Sequence, residues 1–296
     1  MEPSSSVLRI RANAKINLTL DITGRRPDGY HTLSMVMQSI ALHDRVTLSL
    51  GGSGIRVFCD DPALPCGEEN LAYRAADAFF AASGIQNPGV SISIEKQIPA
   101  QAGLAGGSAD AAAVLFGLNQ LLGRPLQTDA LTAAGASVGA DVPFCLTGGT
   151  RLVQGIGDIL SPLPAIHPFP IVLVKPPFSS STAEAYRAAN CASLLHPSAE
   201  PAAKALQSGN LAALSAALGN SFESIVAPEE IAVLKRQFRE YGALGSAMSG
   251  SGTAVFGLFD SPCAAEMCRR SFAQQFRDVF LTFPVHRGVE PETVKS

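Results

Sequence analysis

The stretch Val90–Gly123, VSISIEKQIPAQAGLAGGSADAAAVLFGLNQLLG, decides how the chain is read. Val90, Ile92 and Ile94 alternate with polar residues, the period of a half-buried strand, and the run ends at Ile98-Pro99. From Ser108 to Leu122 the pattern is helical, and it stops at Gly123 with Pro125 beyond, a combination that closes helices. Between strand and helix lies a glycine-rich loop, Pro99–Ala109, in which Gly103, Gly106 and Gly107 run into the helix start. A helix N-terminus leaves N–H groups unpaired and carries partial positive charge. Glycines let successive N–H groups converge on an anion. Such a unit is suited to phosphate, but neither common phosphate motif is present. A Walker A loop needs GxxxxGK[ST], and no lysine stands in the equivalent place; Gly103-Leu-Ala-Gly106-Gly107 does not supply G-x-G-x-x-G. Taken alone, the loop is either an anion cradle or a tight turn.

Toward the N-terminus, Arg9–Ile22 alternates cleanly. Ile10, Ala12, Ala14, Ile16, Leu18, Leu20 and Ile22 share one face, and Asn13, Lys15 and Asn17 form a row on the other. That polar face is either solvated or, since Ala12 and Ala14 are small, closely approached by another part of the chain. A Gly-Arg-Arg-Pro-Asp-Gly turn at 24–29, the pair Tyr30-His31 and a second alternating run at Ser39–Leu50 follow, with Gly51–Gly54 closing a meander. Asn70–Ser83 reads as a helix. Beyond the quoted stretch, Thr128 is expected to cap a helix to about Val138; Asp141-Val142-Pro143-Phe144 and a strand at Thr150–Gln154 come next. The prolines at 162, 164, 168 and 170 mark a boundary. After it come a strand at Ile171–Val174, helices near Thr182–Ala189, Asn210–Leu218 and Pro228–Tyr241, and a strand at Thr253–Phe259. A helix Pro262–Phe276 capped by Ser261 and a strand Val279–Phe283 complete the chain. Antiparallel strands mixed with helices predict an α+β protein of two lobes, residues 1–162 and 163–296.

Composition narrows the classes of function. Apolar residues are 47% of the 296 and charged residues 16%, so the chain is globular rather than disordered. The net charge of −3 offers no cationic footprint, and neither nucleic acid nor an acidic membrane surface is an expected partner. No run of about 18 apolar residues predicts a membrane span, and MEPSSSVLRIRANAK holds no apolar leader; the expected location is the cytoplasm. The six cysteines form no CxxC pair and have no clustered histidines, so free thiols are expected rather than disulfides or zinc.

Three ordered segments carry a resemblance. They are Ala14-Lys15-Ile16-Asn17-Leu18, the glycine loop, and Met248-Ser249-Gly250-Ser251-Gly252-Thr253-Ala254-Val255-Phe256, a second glycine turn leading into a strand. Together the chain resembles the galactokinase, homoserine kinase, mevalonate kinase and phosphomevalonate kinase (GHMP) superfamily. Arg26-x-Asp28-Gly29-Tyr30-His31 and Gly139–Phe144 narrow the resemblance to the branch that acts on a cytidine diphosphate-linked methylerythritol. It spans about Ile10 to Phe259 and implies a ribosomal-protein-S5-domain-2-like N-terminal lobe and a ferredoxin-like C-terminal lobe. The implied activity is ATP-dependent phosphorylation of the substrate's 2-hydroxyl in the non-mevalonate route to isoprenoid precursors, by a monomer or weak homodimer. Another kinase of the superfamily, acting on homoserine or mevalonate, and a nucleotide-binding regulator without catalysis are the alternatives.

The resemblance also implies roles. Lys15 and Asp141 are the catalytic pair: a carboxylate beside an acceptor hydroxyl takes its proton, and a nearby lysine stabilises the developing charge. Pro99, Ala100, Gln101, Ala102, Gly103, Leu104, Ala105, Gly106, Gly107, Ser108 and Ala109 hold ATP. Asn17 is a substrate contact or orients Asp141; Tyr30 and His31 suit a pyrimidine, through a stacking face and an imidazole. Thr182 and Tyr186, after Pro176-Pro177, are further substrate contacts. Mg²⁺ is expected because phosphate charge must be neutralised, with Ser108 and Asp110 nearby but its protein ligand open. Three departures stand out: Ala105 where glycine is frequent, Ala109 where serine is frequent, and Asn220-Ser221-Phe222-Glu223, which receives no role.

Overall fold

A computed structural model describes residues 7–165, 167–189 and 193–292. Cys191 lies outside the described residues; the other five cysteines are free thiols. The chain begins with a long antiparallel hairpin, β1 (Val7–Arg25) and β2 (His31–Leu50), in register from Val7↔Ser49 to Arg25↔His31 with three bulges. The second strand starts at His31 rather than near Ser39. Met35–Ser39 is buried on both faces, so the alternation that betrays a half-buried strand is absent there.

Next come β3 (Ile55–Cys59), α1 (Leu71–Ser83), β4 (Val90–Glu95) and α2 (Gly106–Leu121). Asn70 caps α1 by accepting from the Ala72 N–H, a bond worth about 1 kcal/mol to such a helix. Helix α2 is buried on nearly every side, from Ala109 through Leu118, so the loop that feeds it is anchored on a rigid element. Then follow α3 (Thr128–Val138), α4 (Val142–Thr147), β5 (Thr150–Gly155) and β6 (Ile159–Pro162). Thr128 is the first residue of α3 rather than its cap; Gln127 occupies that position without a side-chain bond.

The rest of the chain runs β7 (Ile171–Lys175), α5 (Thr182–Ala188), α6 (Ala199–Gln207), α7 (Leu211–Ala216) and β8 (Gly219–Asn220). A 3-10 turn, Ser221–Ser224, leads to α8 (Pro228–Glu240), β9 (Gly245–Met248), β10 (Val255–Leu258), α9 (Pro262–Ala273), β11 (Asp278–Thr282) and β12 (Val289–Pro291). Ser261 caps α9 by accepting from the Ala264 N–H, as its sequence predicts.

Two sheets organise these elements. The larger has the order β12-β1-β2-β4-β3, with β5 also on β2, β6 on β5 and β8 on β1; the smaller runs β11-β7-β10-β9 and is antiparallel. The short strands β8 and β12 come from far along the chain and dock on β1. This mixed α+β architecture places the glycine loop and the Met248–Val255 turn against each other where the two sheets meet. The Ala254 N–H donates to the Ala102 carbonyl and the Ser249 hydroxyl to the Gly103 carbonyl.

Candidate active site

The polar face of β1 is covered, not solvated. Asn13, Lys15, Asn17 and Thr19 are all buried. The Lys15 N–H donates to the Leu104 carbonyl at 3.1 Å, and the Asn17 N–H to the Ser249 hydroxyl at 3.2 Å. Both glycine turns thus lie on the strand, bonded to the backbone N–H groups of its polar row.

Lys15 and Asp141 meet there, although 126 positions separate them in the chain (141 less 15). The Lys15 Nζ donates to Asn17 Oδ1 at 2.7 Å and lies 3.8 Å from Asp141 Oδ2. Asp141 sits at the cap position of α4 in helical rather than cap conformation, and its side chain makes no capping bond. Its carboxylate is therefore not spent on the helix; it is part-exposed beside the ammonium and lines a cavity of about 530 Å³. Asn17 Oδ1 also accepts the Gly250 N–H at 3.0 Å, so this amide orients the lysine and the second glycine turn together.

Ten of the eleven expected ATP-loop residues, Pro99 to Ser108, line the same cavity; Ala109 is wholly buried behind it. Helix α2 starts at Gly106 with Ala105 at the cap, no side-chain cap and no acidic residue in its first turn. The N–H groups of that turn thus have neither a capping oxygen nor a competing carboxylate, which leaves them for an anion. Gly103 has φ +75°, and a Cβ there would stand 2.0 Å from the Ser249 carbonyl oxygen; only glycine lets the two turns touch. Ala105, at φ 59° and ψ 32°, holds a left-handed conformation that a glycine would adopt without strain.

The expected substrate residues are distributed unevenly. Thr182 and Tyr186 line the cavity from α5, and the Thr182 hydroxyl is 2.8 Å from that of Ser251. Tyr186 is flanked by His31, at 5.3 Å between ring centroids, and by Phe222 edge-on at 4.9 Å. Burial, reinforced by the Asp141 charge, raises its phenol well above the usual range, so it stays protonated. Burial and then the Arg25 charge lower the His31 pKa, which keeps the imidazole neutral near pH 7. Tyr30 lies at the mouth of the preceding turn with 64% of its surface exposed, and neither it nor His31 is among the lining residues. That turn is closed by the Arg26 N–H to the Tyr30 carbonyl, by Asp28 Oδ1 accepting from the Tyr30 N–H, and by an Arg26–Asp28 ion pair.

Two features escaped the sequence reading. Beneath α2, Lys96 is clamped between Asp44 and Asp110, at 2.7 Å from Asp110 Oδ2; Asp44 Oδ1 accepts the Gln97 and Ile98 N–H groups that lead into the glycine loop. Asp44 stands on the inward side of the alternation Ile40, Leu42, Val46, Leu48, and a charge at such a position was the available signal. The second feature is the Asn220–Glu223 segment, which reaches the second glycine turn. Asp110 Oδ1 is buried without a partner, and Ser108 lines the cavity nearby. Those two oxygens fit a magnesium ion held mainly by phosphates and water. Among the described residues, no cluster of three or more His, Cys, Asp or Glu could cage a metal by itself.

An anion-ready helix start, facing a lysine–aspartate pair over a shared cavity, defines a small-molecule phosphotransferase, and the comparisons give its class. The family model described as GHMP kinases N terminal domain matches residues 70–149, and that described as GHMP kinases C terminal matches residues 202–278. The protein is thus an ATP-dependent kinase of the GHMP superfamily. Over 276 residues, 92% of this chain and 98% of the relative, it is 40% identical to the 4-diphosphocytidyl-2-C-methyl-D-erythritol kinase of Clostridium kluyveri. A crystal structure of 4-(cytidine 5'-diphospho)-2C-methyl-D-erythritol kinase superposes with a TM-score of 0.80 at 35% identity, covering 94% of this chain and 99% of that one. Homoserine kinase from Cytophaga hutchinsonii shares the fold, with a TM-score of 0.77 at 20% identity over 99% of both chains. The chain belongs to the 4-diphosphocytidyl-2-C-methyl-D-erythritol kinase family. Among the described residues, no helix is long and apolar enough to cross a membrane.

Proposed function

We propose that the chain transfers the γ-phosphoryl group of ATP to the 2-hydroxyl of 4-diphosphocytidyl-2-C-methyl-D-erythritol, in the non-mevalonate route to isoprenoid precursors. The observation that carries the catalytic assignment is Asp141: a carboxylate at a helix start that makes no capping bond and faces Lys15 at 3.8 Å. In this reading Asp141 takes the proton of the acceptor hydroxyl while that oxygen bonds to the γ-phosphorus. The bond from phosphorus to the bridging oxygen breaks, and ADP carries away the electron pair. Lys15, nearly dry and held by Asn17, offsets the charge gathering on the acceptor and γ-phosphoryl oxygens. The unclaimed N–H groups at the start of α2 hold the nucleotide phosphates. Magnesium, bound by the phosphates with Ser108 and Asp110 as its protein oxygens, would neutralise charge on the triphosphate.

At the other end, the neutral His31 imidazole offers one donor and one acceptor to a base edge, and Tyr30 and Tyr186 supply aromatic surface. Thr182 supplies a hydroxyl to the substrate. A division of the chain near residue 162 puts Lys15, Asp141 and the glycine loop in one lobe, and Thr182, Tyr186 and the second glycine turn in the other. The reaction is placed in the cytoplasm, on a diffusible substrate.

The test incubates the purified protein with Mg-ATP and a panel of alcohols and follows ADP. Release with the cytidylated methylerythritol, and none with homoserine or mevalonate, is expected; the reverse pattern would sink the assignment.

A further inference from the structure

Lys15 Nζ has one short bond, to Asn17 Oδ1, and that oxygen is shared with the Gly250 N–H. Whatever fixes the peptide at Gly250 therefore fixes the lysine. Gly250 has no side chain to anchor it and can carry none: it has φ +59°, and a Cβ there would meet the Gly103 carbonyl oxygen at 2.9 Å. Beside the Ser249 hydroxyl on the Gly103 carbonyl, its restraint comes from a segment left without a role in the sequence. Asn220 Nδ2 donates to the carbonyls of both Met248 and Gly250, each at 2.8 Å. Glu223 Oε1 accepts the Met248 N–H at 2.8 Å, and its other oxygen is paired with Lys235. Asn220 is 1% exposed, and its own carbonyl oxygen is engaged by the Phe222 N–H, so the amide cannot turn over without breaking three bonds.

We propose that Asn220 and Glu223 are positioning residues for phosphoryl transfer, acting on Lys15 through the Met248–Gly252 turn and Asn17. A lysine set loose by an ångström loses its match to charge that forms only in the transition state, so the defect falls on turnover rather than on binding. The inference rests on Lys15 acting at the reacting oxygens. Lys15→Ala, measured in the same assay, tests that reading separately, since near-normal turnover in it would remove the premise.

The experiment measures steady-state ADP release with Mg-ATP and the cytidylated methylerythritol for Asn220→Ala, alone and in an Asn17→Ala background, alongside thermal melts. In the otherwise wild-type protein, kcat should fall roughly tenfold to hundredfold while both KM values stay within about twofold. With Asn17 already removed, the same change should cost less than about twofold more, because the link is gone. Glu223→Gln keeps an acceptor for the Met248 N–H and should retain kcat, whereas Glu223→Ala should lose it. Glu223→Ala carries the same double-mutant comparison if Asn220→Ala does not fold. Equal losses in both backgrounds would make the segment merely structural and overturn the proposal, as would an unchanged kcat or a loss confined to KM.

Discussion

Replacing Asp110 by asparagine removes one of two buried negative charges that share a single lysine, and the protein should gain stability as pH rises. Asp44 is wholly buried but accepts two backbone N–H groups, so its charge is well compensated. Asp110 has Lys96 alone, at 2.7 Å, and its second oxygen is buried without a partner. Burial pushes its carboxyl up, Lys96 pulls it down and the Asp44 charge pushes it up again, with the balance at about 7. An unperturbed aspartate titrates near 3.8. A carboxyl whose pKa is raised on folding binds its proton more tightly in the folded protein. Its penalty is thus absent well below pH 4, grows through the window from about pH 4 to 7, and is level above. Inside that window each pH unit widens the advantage of Asp110→Asn over wild type by on the order of 1 kcal/mol, so between pH 5 and pH 7 it should grow by about 2 to 3 kcal/mol. At roughly 2 °C per kcal/mol for a chain of this length, the gap in Tm should widen by roughly 5 °C. Paired thermal melts of the two proteins at pH 5, 6, 7 and 8 measure it. A gap independent of pH, or one that widens in favour of wild type, would show that Asp110 is ionised throughout and a net stabilising partner of Lys96.

Four other outcomes follow from the geometry. Lys15→Ala and Asp141→Asn should each lower kcat by about 10²- to 10⁴-fold in a folded protein, and near-normal turnover in either would remove that residue from the mechanism. Gly103→Ala puts a Cβ 2.0 Å from the Ser249 carbonyl oxygen at a positive φ, so it should raise the KM for ATP at least about tenfold or abolish folding; wild-type kinetics would mean the two turns are not in contact. Ala105→Gly relieves a left-handed alanine worth about 1–2 kcal/mol, against about 0.5–1 kcal/mol of added chain entropy. Its urea midpoint should match or exceed that of wild type, and a lower one would refute the strain. Tyr30→Ala alters a side chain that is 64% exposed, so stability should change by less than about 0.5 kcal/mol while the KM for the cytidylated substrate rises and that for ATP does not; an unchanged substrate KM would remove Tyr30 from the binding site.

What the sequence disclosed depended on how local each signal was. The alternation of Arg9–Ile22 and the strand-loop-helix unit around Pro99–Ala109 are written within one or two dozen residues, and both elements appear where the pattern places them. The caps Asn70 and Ser261 are local too. The first half of β2 was hidden because burial on both faces erases its period. Strands β8 and β12, two and three residues long, exist through a partner, β1, far away in the chain, and no short run of sequence can announce that. The site shows the same limit. Lys15 and Asp141 could be joined only by resemblance, since they stand 126 positions apart. Asp44 escaped the reading although a charge on an inward-facing register marks it, and its lysine stands 52 residues on.

The burial of the polar row on β1 gives the arrangement its mechanical logic. Lys15 is nearly dry and held by Asn17, on which a turn from the smaller sheet also lies, and the same turn lies on the glycine loop through Ser249 and Gly103. A phosphate cradle, a charged lysine and the turn joining β9 to β10 are therefore fixed to one another by bonds made within the protein itself. Such a block is set before any substrate arrives, which is what electrostatic stabilisation of a transition state requires, because dipoles already in place need not reorganise during the reaction. Freedom to adapt is left to the opposite wall. There α5 reaches the block through the hydroxyl pair Thr182–Ser251, and Tyr30 is exposed on its turn outside the lining. A substrate that wraps an aromatic base against Tyr30 and passes its phosphates along Thr182 would exchange that single hydroxyl bond for its own contacts. Selectivity for the alcohol and the rate of transfer would then be carried by different parts of the protein, and substitutions at Tyr30 should act on substrate KM while those at Asn17 act on kcat.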